Sequence, residues 1–288
     1  MFVLALLAFL AVSGGGGKIQ PDAVQQTSLE TGNDMKSVIA EFEQILVAGE
    51  FHAQPKIGNT ALEIKEKIPS YLKLLADLKK DAHGMQIDFI FMAHGIPSSD
   101  SEKRVTLKSQ EIVLKILEQE RYELIGYEGS SAEKVTVDSL ASEAGEIIAN
   151  YFCRLDPHMT ALPAHNAIVE AIRRNLQFDS VIAFGEKNPE ANIIGMEDPI
   201  LHRYHAALLG FVGGRYQTTP EWQKMDEMLH LRVSETRSIV ALSKMVARMK
   251  KDGKTRAVIV IGTSHAEGMR MNSAELKLRS RFFTTTSR

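Results

Sequence analysis

Four short apolar runs, each stopping on a histidine or a carboxylate, constrain the fold of this chain more than any other feature. They are "IDFIFMAHG" from Ile87, "YELIGYEG" from Tyr122, "ANIIGMED" from Ala191 and "RAVIVIGTSH" from Arg256. Unbroken apolar runs of this length suit strands covered on both faces, as in a parallel sheet flanked by helices. Helical spacing fills the gaps between them. Ile112, Val113, Ile116 and Leu117 form a stripe after the first run, and "LPAHNAIVEAIRRNL" joins a helical stretch from Leu140 to Phe152 after the second. "PILHRYHAALLGF" follows the third, then a long segment in which Ile239, Leu242, Val246 and Met249 line up. Ser99 with Glu102 and Ser130 with Glu133 stand at capping-box spacing, and Asp198 before Pro199 reads as an N-cap. After the fourth run, "NSAELKLRSR" reads as a short capped helix and "FFTTTS" as an edge strand. The alternation predicts a single α/β domain over residues 35–288, with a largely parallel central sheet flanked by helices. Two helices precede the sheet. One carries Val38, Ile39, Phe42, Ile45 and Leu46; the other carries Ile64, Ile68, Tyr71, Leu72 and Leu75, with a kink expected at Pro69.

The start of the chain reads as a separate object. "MFVLALLAFLAV" is too short to span a bilayer as a helix, but residues 1–17 have the length of a signal or membrane-tether segment. No Lys or Arg precedes the apolar run, so the usual positive start is missing. The expectation is an exported or membrane-associated protein if residues 1–17 are a signal, and a cytoplasmic one otherwise. Residues 18–34 read as a linker. A formal net charge of −2 offers no basic face, so nucleic acid is not an expected partner. The single cysteine, Cys153, excludes an intramolecular disulfide and reads as a buried hydrophobe on a helix.

The strand tips carry the chemistry. In parallel sheets ligands gather outside the carboxyl ends of the strands, and right-handed crossovers bring those ends to one edge. His94, Glu128, Glu197 and His265 all fall at such ends. Two imidazoles and one or two carboxylates can hold a divalent metal such as zinc or manganese, or can activate a water by general-base chemistry. Gly95, Gly129 and Gly262 stand beside three of them and let a ligand approach the backbone. Plainer readings compete: Asp198 as only a helix cap, Glu197 paired with Arg203 one turn on, and His202 with His205 at metal spacing by chance. "GTSHA" nearly matches a nucleophile elbow at Ser264. His265 is the last histidine and adjoins that serine, so it is badly placed to serve as its base.

Taken together, "FMAHG", "ELIGYEG", "ANIIGMED", "ETRSIVALSKMVARM" and "AVIVIGTSHAEGM" resemble the TraB/TIKI superfamily, which includes the erythromycin esterases and the ChaN-like haem-binding lipoproteins. The resemblance covers roughly Ile87 to Phe283. It implies Gly262 and His265 as the second G-x-x-H element, Glu128 as the strand-end acid, and Glu235 and Arg237 as polar residues of the late helix. The first element departs from the pattern, because Phe91 stands where a glycine would precede His94. The implied fold is erythromycin-esterase/ChaN-like. The residues themselves lead to a hydrolase that activates water, and the resemblance implies a peptide or ester bond in a small-molecule or peptide substrate. Glu128 would be base or ligand, His94 and His265 ligands or proton shuttles, Glu197 a further metal ligand, and Arg237 an anion clamp. The alternative is a non-enzymatic haem- or metal-binding envelope protein, with histidine and Tyr127 as axial haem groups. A scaffold with a vestigial cleft is the third reading, and Phe91 favours it.

Overall fold

The computed structural model describes residues 55–93, 100–143, 179–202 and 220–286. Five parallel strands form one sheet: β1 (Gln86–Met92), β2 (Leu124–Tyr127), β3 (Asn192–Gly195), β4 (Arg256–Gly262) and β5 (Phe282–Thr284). Their order is β3-β2-β4-β1-β5. The four apolar runs and the expected edge strand are all present. The described helices are α1 (Pro55–Asp81), α2 (Asp100–Glu120), α3 (Ser180–Lys187), α4 (Pro220–Lys251) and α5 (Ala266–Glu275).

Both faces of the sheet are covered, which is why the strands read as continuous apolar runs. On one face Ile87, Phe89 and Phe91 of β1 and Ala257, Ile259 and Ile261 of β4 pack with α1, α4 and α5. On the other, Ile90, Met92, Ile125, Tyr127, Val258 and Val260 pack with α2 and α3. The chain runs through the order in two directions. From β1 to β2 to β3 it moves toward one edge; from β3 to β4 to β5 it moves back. The helices of the outward half lie on one face and those of the return half on the other. β2 and β4 are neighbours whose outgoing connections diverge. A crevice opens at such a point in open α/β sheets.

Several local expectations are corrected. Ser130 and Glu133 form no capping box: Ser130 is buried and its Oγ donates to Glu143 Oε2 at 2.5 Å. The reciprocal cap stands six residues on, where Thr136 N donates to Ser139 Oγ (2.9 Å) and Ser139 N to Thr136 Oγ1 (3.1 Å). α5 begins at Ala266, directly after the turn that ends β4, rather than at Asn272. α3 was not expected at all, although Asp179 caps it by accepting from Val181 N and Ile182 N. Its eight residues, with Gly185 among them, are too few to establish a helical stripe. α1 continues through Pro69 as one helix. The helix expected over residues 38–46, the stretch from "LPAHN", Cys153 and residues 1–34 lie outside the described residues.

Candidate functional site

Strand parity decides which strand-end groups meet. Along β2, Leu124 and Gly126 face α4 while Ile125 and Tyr127 face the opposite layer, so Glu128 is next to turn toward α4. Gly126 lets two methionines close over the strand: a Cβ would stand 2.6 Å from Met196 Sδ and 2.7 Å from Met245 Cε, so both side chains would have to shift. Gly129 then adopts φ +91°, a left-handed turn that favours glycine and carries the chain away just after the carboxylate. β3 ends beside β2, and Glu197 N donates to Ser130 O (2.9 Å), which ties the two strand-end loops together. Beyond β4, Thr263–His265 form a 3-10 turn that presents His265 at the sheet edge.

Arg237 of α4 joins the two carboxylates. Its Nε donates to Glu197 Oε2 at 3.0 Å and a terminal nitrogen donates to Glu197 Oε1, a two-pronged grip. The same terminal nitrogen donates to Glu128 Oε1 at 3.0 Å. Glu128 Oε2 accepts from Gly262 N–H at 2.5 Å, so the amide that opens the turn after β4 is aimed at this carboxylate. His265 Nε2 lies 3.3 Å from Glu128 Oε1, and His265 Nδ1 lies 2.8 Å from Ser238 Oγ. The side chains of Arg237, Glu128, Glu197 and His265 are only 11, 5, 4 and 2 % exposed, so their charges act in a low-dielectric setting.

The electrostatics follow from this packing. Burial would push the Glu197 carboxyl up, but the Arg237 charge and its hydrogen bonds outweigh burial and hold it below the ordinary value. Burial likewise opposes the Arg237 charge, and Glu197 and Glu128 together keep its pKa above normal. His202 is buried one turn after Asp198, and burial holds its imidazole below the ordinary 6.5 against the pull of Glu197. Lys244, about two turns beyond Arg237 along α4, donates to the Glu197 carbonyl at 2.7 Å; burial lowers its pKa.

Of the residues named from the sequence, Glu128, Glu197, Arg237, Gly262 and His265 are brought into one cluster. His94 lies outside the described residues, although β1, which precedes it, runs beside β4. Glu235 is half-buried two residues before Arg237, roughly 200° away round the helix axis and hence on a different face. Asp198 is the expected cap, accepting from Ile200 N and Leu201 N at 2.8 and 3.1 Å. Glu197 pairs with Arg237, and Arg203, the partner read from the sequence, lies outside the described residues. Tyr127 is corrected as an axial group: it points into the opposite layer, fully buried, and its hydroxyl donates to Asp179 Oδ2 at 2.6 Å. Phe91 is also core, its ring one of three near-parallel rings with Phe89 and Phe282. Ser238 and Lys244 were missed; the only signal for Ser238 was a hydroxyl within an otherwise apolar stripe, one residue past Arg237.

Among the described residues, no group of three or more His, Cys, Asp or Glu side chains is arranged to hold a metal. Both oxygens of Glu128 and both of Glu197 already accept hydrogen bonds from Arg237 or from the Gly262 amide. A divalent cation there would face the guanidinium, so this donor set fits a metal only if Arg237 withdraws. No helix among the described residues is long and apolar enough to cross a membrane. Comparison with protein-family models, with curated proteins and with solved structures finds no match.

Proposed function

We propose that this chain is a hydrolase of ester or peptide bonds whose acid–base group is Glu128 with His265, at the crevice between β2 and β4. One observation carries the reading: side chains from three adjacent strand ends and from α4 converge on a single polar cluster at the carboxyl edge of an otherwise apolar sheet. In this proposal Glu128 takes the proton of an attacking water, while His265, entering the step as the imidazolium, gives its Nε2 proton to the leaving group and recovers one from Glu128. Arg237 and the Gly262 amide hold the Glu128 carboxylate in place, and Glu197 holds Arg237. Because the carboxylates are already engaged, the geometry favours the acid–base form over the zinc or manganese form. The TraB/TIKI resemblance and its erythromycin-esterase/ChaN-like fold point to the same edge. The apolar run at residues 2–12 supports export or tethering.

The test is turnover of a panel of nitrophenyl esters and fluorogenic peptides by the full chain, beside metal analysis and an absorbance scan. Glu128→Gln and His265→Ala are each expected to lose about 10²–10⁴-fold in rate while remaining folded by circular dichroism. A chelator should leave the wild type unchanged. Folded variants that turn over like the wild type would reduce the cluster to a structural tie. Near-stoichiometric zinc or manganese, or iron with a Soret band, would transfer the site to the metal or haem reading.

A further inference from the structure

Ser238 lies in the middle of α4, buried, on an element separate from the turn that carries His265. Its Oγ stands 2.8 Å from His265 Nδ1. The other ring nitrogen, Nε2, faces Glu128 Oε1 at 3.3 Å, and that oxygen already accepts from Arg237. An acceptor on the Nε2 side places the ring proton there, which leaves Nδ1 to accept from the hydroxyl.

We propose that Ser238 is a positioning residue, holding His265 with Nε2 toward Glu128; this rests on the acid–base reading of the pair. A hydroxyl is both donor and acceptor. It donates to Nδ1 while the ring is neutral, and by rotating its proton away it accepts from Nδ1–H when the ring gains a second proton. The imidazole therefore changes protonation state without moving. A carboxylate in the same place could only accept, and an alanine could do neither.

The ring tautomer can be read without any substrate, by long-range proton–nitrogen NMR on the full chain carrying nitrogen-15 histidine, with the His265 signals assigned by their loss in His265→Gln. The wild type is expected to show one tautomer, protonated on Nε2. Ser238→Ala should show a mixture, and Ser238→Thr should restore the single form. Ser243→Ala, a buried serine on the same helix, should leave the spectrum unchanged. With an ester substrate, kcat/KM of Ser238→Ala should fall about tenfold, the scale of one buried hydrogen bond. If Ser238→Ala does not fold, Ser238→Cys supplies the comparison, its weaker donor giving the mixed tautomer. A wild-type ring protonated on Nδ1, or a spectrum unmoved by these substitutions, overturns the proposal. A ring fixed by Ser238 in a protein that hydrolyses nothing would instead refute the hydrolase reading and leave the hydrogen bond standing.

Discussion

At the scale of single residues, Arg237 matters most, because it bridges two buried carboxylates. Glu128 and Glu197 reach the same guanidinium from neighbouring strand ends, and without it two largely buried negative charges would face each other uncompensated. Arg237→Met should therefore lose about 3–5 kcal/mol of stability, the range for one partner removed from a buried pair, measured by urea unfolding. Arg237→Met combined with Glu128→Gln and Glu197→Gln should recover much of that loss. If the single variant is as stable as the wild type, the cluster is more hydrated than its burial indicates. Ser243 is the converse case. Its hydroxyl is buried with no hydrogen-bond partner among the described residues, so Ser243→Ala should be neutral or stabilising, by up to about 1 kcal/mol.

At the scale of elements, β2 and α3 are joined through Asp179. Its carboxylate caps α3 with one oxygen and receives the Tyr127 hydroxyl with the other. Burial, and then the Asp179 charge, push the Tyr127 hydroxyl well above its usual pKa, so it stays a donor. Asp179→Ala removes a cap and leaves a buried hydroxyl unpaired, and should cost about 2–4 kcal/mol in total. Tyr127→Phe in the same chain should recover part of this, and a double-mutant cycle measures how much. Strictly additive losses would show that Tyr127 and Asp179 do not interact in solution. These elements also show what was readable in advance. The stripe of α4 could be seen in the sequence because Ile239, Leu242, Val246 and Met249 repeat over about three turns. α3 escaped notice because its signal was one capping carboxylate followed by a short apolar run, which a buried strand would show equally well.

At the scale of the whole molecule, charged groups tie down both edges of the sheet and set its response to acid. At the amino edge, Asp88 of β1 accepts from Tyr122 at 2.6 Å and from Arg281 Nη2 at 2.7 Å, linking β1, the start of β2 and the approach to β5. Burial raises the Asp88 carboxyl, but the hydrogen bonds from Arg281, Tyr122 and Gln86 prevail and its pKa is lowered. Asp88 and Glu197 therefore contribute stability that is present above the ordinary carboxylate values of 3.8 and 4.5 and is lost as pH falls through their lower folded values. His202 acts earlier. Its folded pKa lies below 6.5, so the unfolded chain takes up the proton first and stability begins to fall as pH drops through 6.5. Unfolding free energy measured from pH 8 to 3 should thus decline in two stages, and His202→Gln should remove the first; an unchanged first stage would assign it to another group. The sequence by itself determined the α/β class, the places of the strands, and the positions of Glu128, Glu197 and His265 at strand ends, because these follow from local apolar runs and where they stop. Only the tertiary structure decided that β3, β2 and β4 are neighbours, that Arg237 bridges the two carboxylates, and that Tyr127 faces away. A strand buried on both sides carries no polar alternation to mark its faces, so the helix packed against each face decides which strand-end side chains meet.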